Sequence, residues 1–586
     1  MRPAAGERTV RLRTDRLRPP WGQFLPKFRL AMKHAIFIII LSCLTAFDLT
    51  AQNSVPGIPY IKYTRNYAEL IVDGKPLLMT GGELGNSSAS STAYMEPIWS
   101  KLEKMHLNTL IAPVYWELME PVEGQFDFTL VDYLLTSARQ HHLKLVLLWF
   151  GTWKNSMSCY APAWVKTDEK RFPRVQDSAG IAQEIVSPFS DNALKADVTA
   201  YAALMRHIKL MDGGGRRTGG GEKMGNGRHT VVMMQVENEI GMLPSARDHS
   251  ALADAAFNQP VPETLISYLR LHREQLAPEI RQLWQHEGFK TTGNWETVFG
   301  KSVATDELFM AWYFAIYANA VAKAGKAVYP IPMYVNAALN APGKLPGQYP
   351  SGGPLPHLID VWKAGAPAID LLSPDFYNPH FSYWSDRYTR PDNALFIPEH
   401  RFEDGVEAKA FYAFGHYGAI GLSPFAIESG PPARAALLGK TYEIIHQLSG
   451  EISKAKEKGS MEGVLLSKDM DTVQLQMGDY ILSVSHDLTL GWSPQAKEET
   501  WPLSGGIIIA LSKDEFYVGG TGVVIRFASR DPLLRAGIER VDEGTFVNGI
   551  WRPGRRLNGD EDHQGRHLRI PTGEYGIQRI KLYTYE

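Results

Sequence analysis

Eight short apolar runs, each closing in polar or glycine-containing sequence, recur between residues 74 and 428 and alternate with helical periodicity. They cover 76–83, 108–116, 143–151, 230–239, 332–339, 370–377, 394–400 and 419–427. The third contains Leu145-Val146-Leu147-Leu148-Trp149-Phe150, apolar on both faces, as a parallel strand covered on each side must be. Between the runs, Ile98, Leu102 and Met105 recur at steps of three and four, as do Leu130, Leu134 and Ala138, then Val198, Tyr201, Met205 and Ile208. Residues 308–328 add another long helix. This alternation predicts an α/β chain whose residues 55–450 form a TIM (β/α)8 barrel with loop insertions, an open doubly wound sheet being the competing arrangement.

Past about residue 450 the texture changes. Runs at 464–466, 473–477, 480–484, 506–511 and 523–527 are short, β-type and separated by turn residues. They predict a smaller all-β C-terminal domain, sandwich-like, over 455–586, with 441–458 as the last barrel helix running into it.

The first 51 residues are read separately. Residues 1–31 are rich in Arg and Pro without apolar periodicity, and are expected to be a spurious extension ahead of a true start at Met32. Lys33 and His34 then precede an apolar stretch of about a dozen residues, too short to span a bilayer comfortably, and Ala51 offers a small residue for cleavage. That is a signal peptide, with a retained membrane anchor as the alternative, so the expected location is secreted or periplasmic. No later apolar run is long enough to span, so no membrane span is expected in the mature chain. The leader carries nine basic groups against three acids, a net of +6; with −2 for the whole chain, −8 is left on residues 52–586. A body that acidic has no broad positive field for a phosphate backbone, and nucleic acid is not an expected partner.

Cys43 and Cys159 are the two cysteines, with no Cys-x-x-Cys spacing, and scattered histidines such as His141-His142 lack ligand spacing. No metal or cofactor is expected. The glycine-rich stretch 213–221 follows a helix and lacks the Lys-Ser/Thr of a phosphate loop, so it reads as a connector. Asp560-Glu561-Asp562 lacks the alternating ligands of a calcium loop and reads as a solvated turn.

In such a barrel, reactive groups project from the carboxyl ends of the strands. The fourth run ends Gln235-Val236-Glu237-Asn238-Glu239 and the seventh Phe396-Ile397-Pro398-Glu399-His400. Strands four and seven face each other across the mouth, and two carboxyl groups there suit glycosidic bond cleavage: one protonates the leaving oxygen, the other attacks the anomeric carbon or activates water. An amide at Asn238 can hold the sugar 2-hydroxyl.

Val236-Glu237-Asn238-Glu239-Ile240-Gly241 resembles the acid/base motif of glycoside hydrolase family 35, the β-galactosidases of the clan A barrels. Val114-Tyr115-Trp116, Glu120-Pro121-Val122-Glu123-Gly124-Gln125-Phe126-Asp127-Phe128, Gly82-Glu83-Leu84 and Pro162-Ala163-Trp164 are similar to further landmarks of that family. The resemblance spans about 58–450 and implies a retaining, exo-acting β-galactosidase using double displacement on β-galactoside glycans. Glu239 would be the general acid/base and Glu399 the nucleophile, ionised in the free enzyme while Glu239 is protonated. Asn238 would hold the 2-hydroxyl, Tyr377 would orient Glu399, and Glu83 and Tyr115 would line the sugar site. Lys154 and Asn155 stand where many relatives have an Ala-Glu-Trp element, and Asn86 where many have a sugar-contacting Tyr. These departures resemble a bacterial branch with a C-terminal β-domain, some members of which trim galactose from xyloglucan side chains. Competing readings are an endo-acting clan A β-glycanase of mannanase or cellulase type, and a non-catalytic glycan-binding barrel. The β-domain either binds polysaccharide, through Trp501 and Trp551, or buttresses the barrel.

Overall fold

The computed structural model describes residues 57–212, 229–340 and 342–586. The leader and the glycine-rich connector lie outside the described residues.

Each of the eight predicted runs falls on one strand of a closed parallel barrel; seven contain their strand whole, and the third strand continues to Lys154, three residues past its run. In chain order they are β1 Met79–Glu83, β2 Thr109–Tyr115, β3 Lys144–Lys154, β4 Val231–Asn238, β5 Met333–Ala338, β6 Leu371–Phe376, β7 Phe396–His400 and β8 Gly421–Pro424. Every strand pairs with its sequence neighbours and β8 closes onto β1, which excludes the open sheet. The strands are almost wholly buried because helices cover the outside while their inward side chains fill the interior. Val146, Leu147 and Leu148, for example, have no exposed surface; each such side chain contributes roughly 1.5–3 kcal/mol on burial.

The outer helices include α1 Thr129–Gln140, α2 Asp191–Asp212, α3 Val303–Val328, α4 Val406–Gly415 and α5 Pro432–Lys458. Ser302 caps α3 by accepting the Thr305 N–H at 3.1 Å. Proline starts α5 and Gly459, at φ 62°, ends it, placing rigid and left-handed residues where a helix tolerates them. Tyr442 on α5 donates to the carbonyls of Gly81 and Leu422 at 2.8 and 3.0 Å, fastening that helix over the β8–β1 seam. Among the described residues no helix is long and apolar enough to cross a membrane.

Ten further strands follow α5: β9 Met461–Leu466, β10 Thr472–Met477, β11 Tyr480–His486, β12 Ser504–Ala510, β13 Glu515–Thr521, β14 Val523–Ser529, β15 Arg535–Val547, β16 Ile550–Leu557, β17 Leu568–Ile570 and β18 Gly576–Tyr585. They form a six-stranded sheet, β9-β12-β13-β18-β15-β16, and a four-stranded one, β10-β11-β14-β17. Alternation along β12 explains the layering: Ile508 joins a core with Leu482, Val484 and Ile525 of the second sheet, whereas Ile507 and Ile509 belong to the barrel core. The six-stranded sheet is therefore buried on both faces along β12 and β13. Glycines permit its close approach to α4, since a Cβ on Gly505 would lie 2.6 Å from the Ala408 carbonyl oxygen. Trp551 packs on Tyr517 and Phe546, and Trp501 on His486, so both are half-buried packing groups. In the acidic run near the end, Asp562 accepts the Gly559 N–H at 3.1 Å and closes a turn.

Candidate active site

The backbone at the end of β4 is strained. Glu237 and Glu239 sit at φ 60° and 45°, in the left-handed region, where a side chain costs roughly 1–2 kcal/mol. Surrounding bonds hold it there: the Gln235 side-chain amide donates to the Glu237 carbonyl at 2.8 Å, the Glu239 N–H to Asn336 Oδ1 at 3.0 Å, and the Ser156 N–H to the Glu239 carbonyl at 3.1 Å. The two glutamates end in opposite environments. Glu237 is fully buried behind the mouth, where its Oε2 accepts the Trp153 N–H at 2.7 Å and Asp197 lies alongside. Glu239 points into the mouth.

Strand β3 supplies its neighbours through a register irregularity between Trp149 and Lys154. Past it, Asn155 and Ser156 are also left-handed, and the Asn155 amide donates to Glu239 Oε2. Lys154 pairs across the ladder with Asn238 and is 4% exposed, its ammonium 5.2 Å from the centre of the Phe150 ring. Both amide atoms of Asn238 are buried without a hydrogen-bond partner.

From the opposite wall comes Glu399 in β7. Tyr377, just past β6, donates its hydroxyl to Glu399 Oε1, while Oε2 is buried and unpartnered. Glu83, ending β1, is 2% exposed, and its charge adds to what holds the pKa values of Asp375 and Tyr377 up. The structure thus brings together Glu239, Glu399, Asn238, Lys154, Asn155, Tyr377 and Glu83. Tyr115 and Asn86 stand further out. The Tyr115 ring packs on Phe150 and Tyr160, and Asn86, with a buried unpartnered Oδ1, lies in the loop after β1. That loop is tied to the end of the barrel by Glu428, which accepts from Ser88 Oγ at 2.6 Å and from the Gly85 N–H at 3.1 Å.

Two participants escaped the sequence reading. Asp375, the next-to-last residue of β6, lies beside Glu399 in the β6–β7 register. Asn336 on β5 donates to Asp375 Oδ2 at 2.7 Å while accepting from Glu239. One carboxyl oxygen from each of Glu239, Asp375 and Glu399 lies within 4.8 Å of the other two. Divalent cations can bridge oxygens at such spacing, but Lys154 already sets a positive charge among these groups, which favours proton sharing.

Burial is the first cause of raised carboxyl pKa values throughout. Glu399 rises to about 7, with the Glu239 charge adding to burial, and Lys154 and Tyr377 opposing. Glu239 is also raised by burial, against Lys154, Asp375 and Asn155. Burial is thus the first cause for both Glu239 and Glu399, and they titrate as a pair. Glu83 and Asp375 are held well above the ordinary range by burial and by their carboxyl neighbours.

What results is a (β/α)8 barrel with two buried carboxyl groups facing each other across its mouth, followed by a two-sheet β region. Residues 438–569 match a family described as "Domain of unknown function (DUF5597)". No curated protein matches the chain in sequence. Similar solved structures include a β-galactosidase from Marinomonas ef1 (13% identity, 65% of this chain and 61% of that one, TM-score 0.44). Another is a β-galactosidase from Bacillus circulans (15%, 64% and 57%, 0.43), and a third the β-amylase catalytic domain from Paenibacillus polymyxa (13%, 63% and 98%, 0.42). The chain covers about three fifths of the length of those two β-galactosidases. Likenesses this distant do not bear on activity.

Proposed function

We propose that this protein is a retaining, exo-acting β-galactosidase that removes terminal β-galactosyl residues from glycans outside the cytoplasm, with xyloglucan side chains as the candidate polymer. The observation that carries the reading is the placement of Glu239 just past β4 and Glu399 on β7, with carboxyl oxygens within 4.8 Å. Carboxyl groups about 5 Å apart leave no room for a water between the second carboxylate and the sugar, and favour direct attack by that carboxylate. In the first step Glu399 attacks the anomeric carbon while Glu239 gives its proton to the leaving oxygen. In the second, Glu239 takes a proton from water, whose oxygen displaces Glu399. Tyr377 holds the nucleophile, Asn155 the acid, and the free amide of Asn238 suits a sugar 2-hydroxyl. The preference for galactose rests on the motif resemblance.

The test is hydrolysis of aryl β-galactoside, β-glucoside and β-mannoside by the full chain, with Glu399→Gln as control. Galactoside turnover that disappears in the variant supports the reading. Release of oligosaccharides from polymer with no action on aryl galactosides would overturn it in favour of an endo-glycanase.

A further inference from the structure

Asp375 is 1% exposed and register-paired with Glu399, so the two side chains leave adjacent strands on the same side of the sheet. Its Oδ2 accepts from Asn336, its Oδ1 is buried without a hydrogen-bond partner, and one of its carboxyl oxygens lies within 4.8 Å of an oxygen of Glu239 and of Glu399. A hydrogen bond between two carboxyl groups requires a proton on one of them. The groups facing Asp375 are Glu83 from β1, Glu239 from β4, Tyr334 from β5, Tyr377 and Tyr388 from the chain after β6, and Glu399 from β7, with Lys154 from β3 nearby. Four carboxyl groups thus share one ammonium, and all five side chains are almost fully buried. Such a site tolerates about one anion per cation, because each further charge would be taken out of water without a partner to compensate it.

We propose that Asp375 keeps its proton in the free enzyme and donates it in a hydrogen bond to Glu239, as a positioning residue for the acid/base. Resting on the assignment of Glu239, this adds a third carboxyl group to the reaction. When Glu239 gives its proton to the leaving oxygen it becomes a carboxylate, while Asp375 retains its own proton. Its O–H then bonds to a full negative charge, and charge-assisted bonds are about twice as strong as neutral ones. Asp375 therefore makes Glu239 a stronger acid where leaving-group departure is hardest. Asn336 fixes the geometry by bonding both the Asp375 carboxyl and the Glu239 backbone.

Asparagine can reproduce this pattern, with its oxygen accepting from Asn336 and its amide donating to Glu239; leucine cannot. Asp375→Asn should keep the alkaline limb of the kcat/KM profile within about half a pH unit of wild type, whatever its plateau. Asp375→Leu should move that limb up by about one unit and slow poor leaving groups about tenfold more than good ones. An alkaline limb shifted down by a unit or more in Asp375→Asn would mean that a negative charge had been removed, and would overturn the proposal. Infrared difference spectra of the substrate-free proteins, wild type against Asp375→Asn at about pH 8, read the same proton without turnover. A protonated-carboxyl band present in wild type and missing in the variant supports the proposal. No such band refutes it, even if the enzyme acts on a different glycoside.

Discussion

The Tyr377 hydroxyl reaches from the end of β6 to Glu399 Oε1 in β7, so the proposed nucleophile is held by the neighbouring strand. A hydrogen bond to a charged group contributes about 1.5–3 kcal/mol, and this one opposes the burial that raises Glu399. Tyr377→Phe should therefore lower kcat about 10- to 100-fold with a smaller change in KM. The acid limb of activity, governed by ionisation of Glu399, should move to higher pH because the donor that favours the carboxylate is gone. Equal acid limbs in the two proteins would show that the contact does not tune the nucleophile.

The same residue sets a pH dependence of stability. Glu399 is raised from 4.5 to about 7 in the folded protein. Between those values the folded state binds more protons than the unfolded one, so stability falls as pH rises through the window and levels off above it. The shift corresponds to about 3 kcal/mol at full effect. Glu399→Gln carries no such penalty; it should melt above wild type at about pH 8 and converge with it near pH 4.5. Thermal melts of both proteins across this range check the sign.

The barrel was legible because its period is written in apolar runs: Leu145 to Phe150 can be little else than a doubly covered strand. Glu239 and Glu399 were legible because an acid ending an apolar strand stands out. Asp375 was not, since it lies inside Leu371–Phe376 and not at its end; the signal available was a charged residue at the penultimate position of a buried run. The β-region strands Glu515–Thr521, Arg535–Val547, Ile550–Leu557 and Gly576–Tyr585 were missed for other reasons. In the first, glycines 519 and 520 stand where side chains would mark the pattern, because Gly520 lies against the backbone of Gly505. Arg535–Val547 and Ile550–Leu557 sit towards the sheet edge with many exposed polar residues, so no apolar alternation reveals them.

Glu237 and Glu239 are two residues apart, yet only Glu239 faces Glu399. Glu239→Ala should lose most activity on poor leaving groups and less on activated aryl glycosides, where protonation matters least. Azide should restore turnover of the activated substrates and yield a glycosyl azide of retained configuration, as a small anion fills the space of the lost carboxyl. Glu237→Ala should instead melt lower than wild type and show no azide effect, because it leaves the Trp153 N–H inside the protein without its acceptor. Azide rescue of Glu237→Ala would reverse the two assignments.

The contact between α4 and the six-stranded sheet gives a prediction about stability. A Cβ at Gly505 would meet the Ala408 carbonyl oxygen at 2.6 Å, and one at Gly415 would meet the Gly463 Cα at 2.7 Å; both obstacles are backbone. Neither can rotate away as a flexible side chain could, so Gly505→Ala must push the sheet from the helix or strain it. Overpacking of this kind costs typically 1–3 kcal/mol. The adjoining α4 also bears on the site, since Lys409 contacts His400, the residue after Glu399. Gly505→Ala should lower the melting temperature and reduce kcat, whereas alanine at Gly549, where φ is 74° and nothing lies within 4 Å, should cost only backbone strain and leave kcat alone. Equal melting temperatures for Gly505→Ala and wild type would show that the β region and the barrel are not packed as tightly as these distances require.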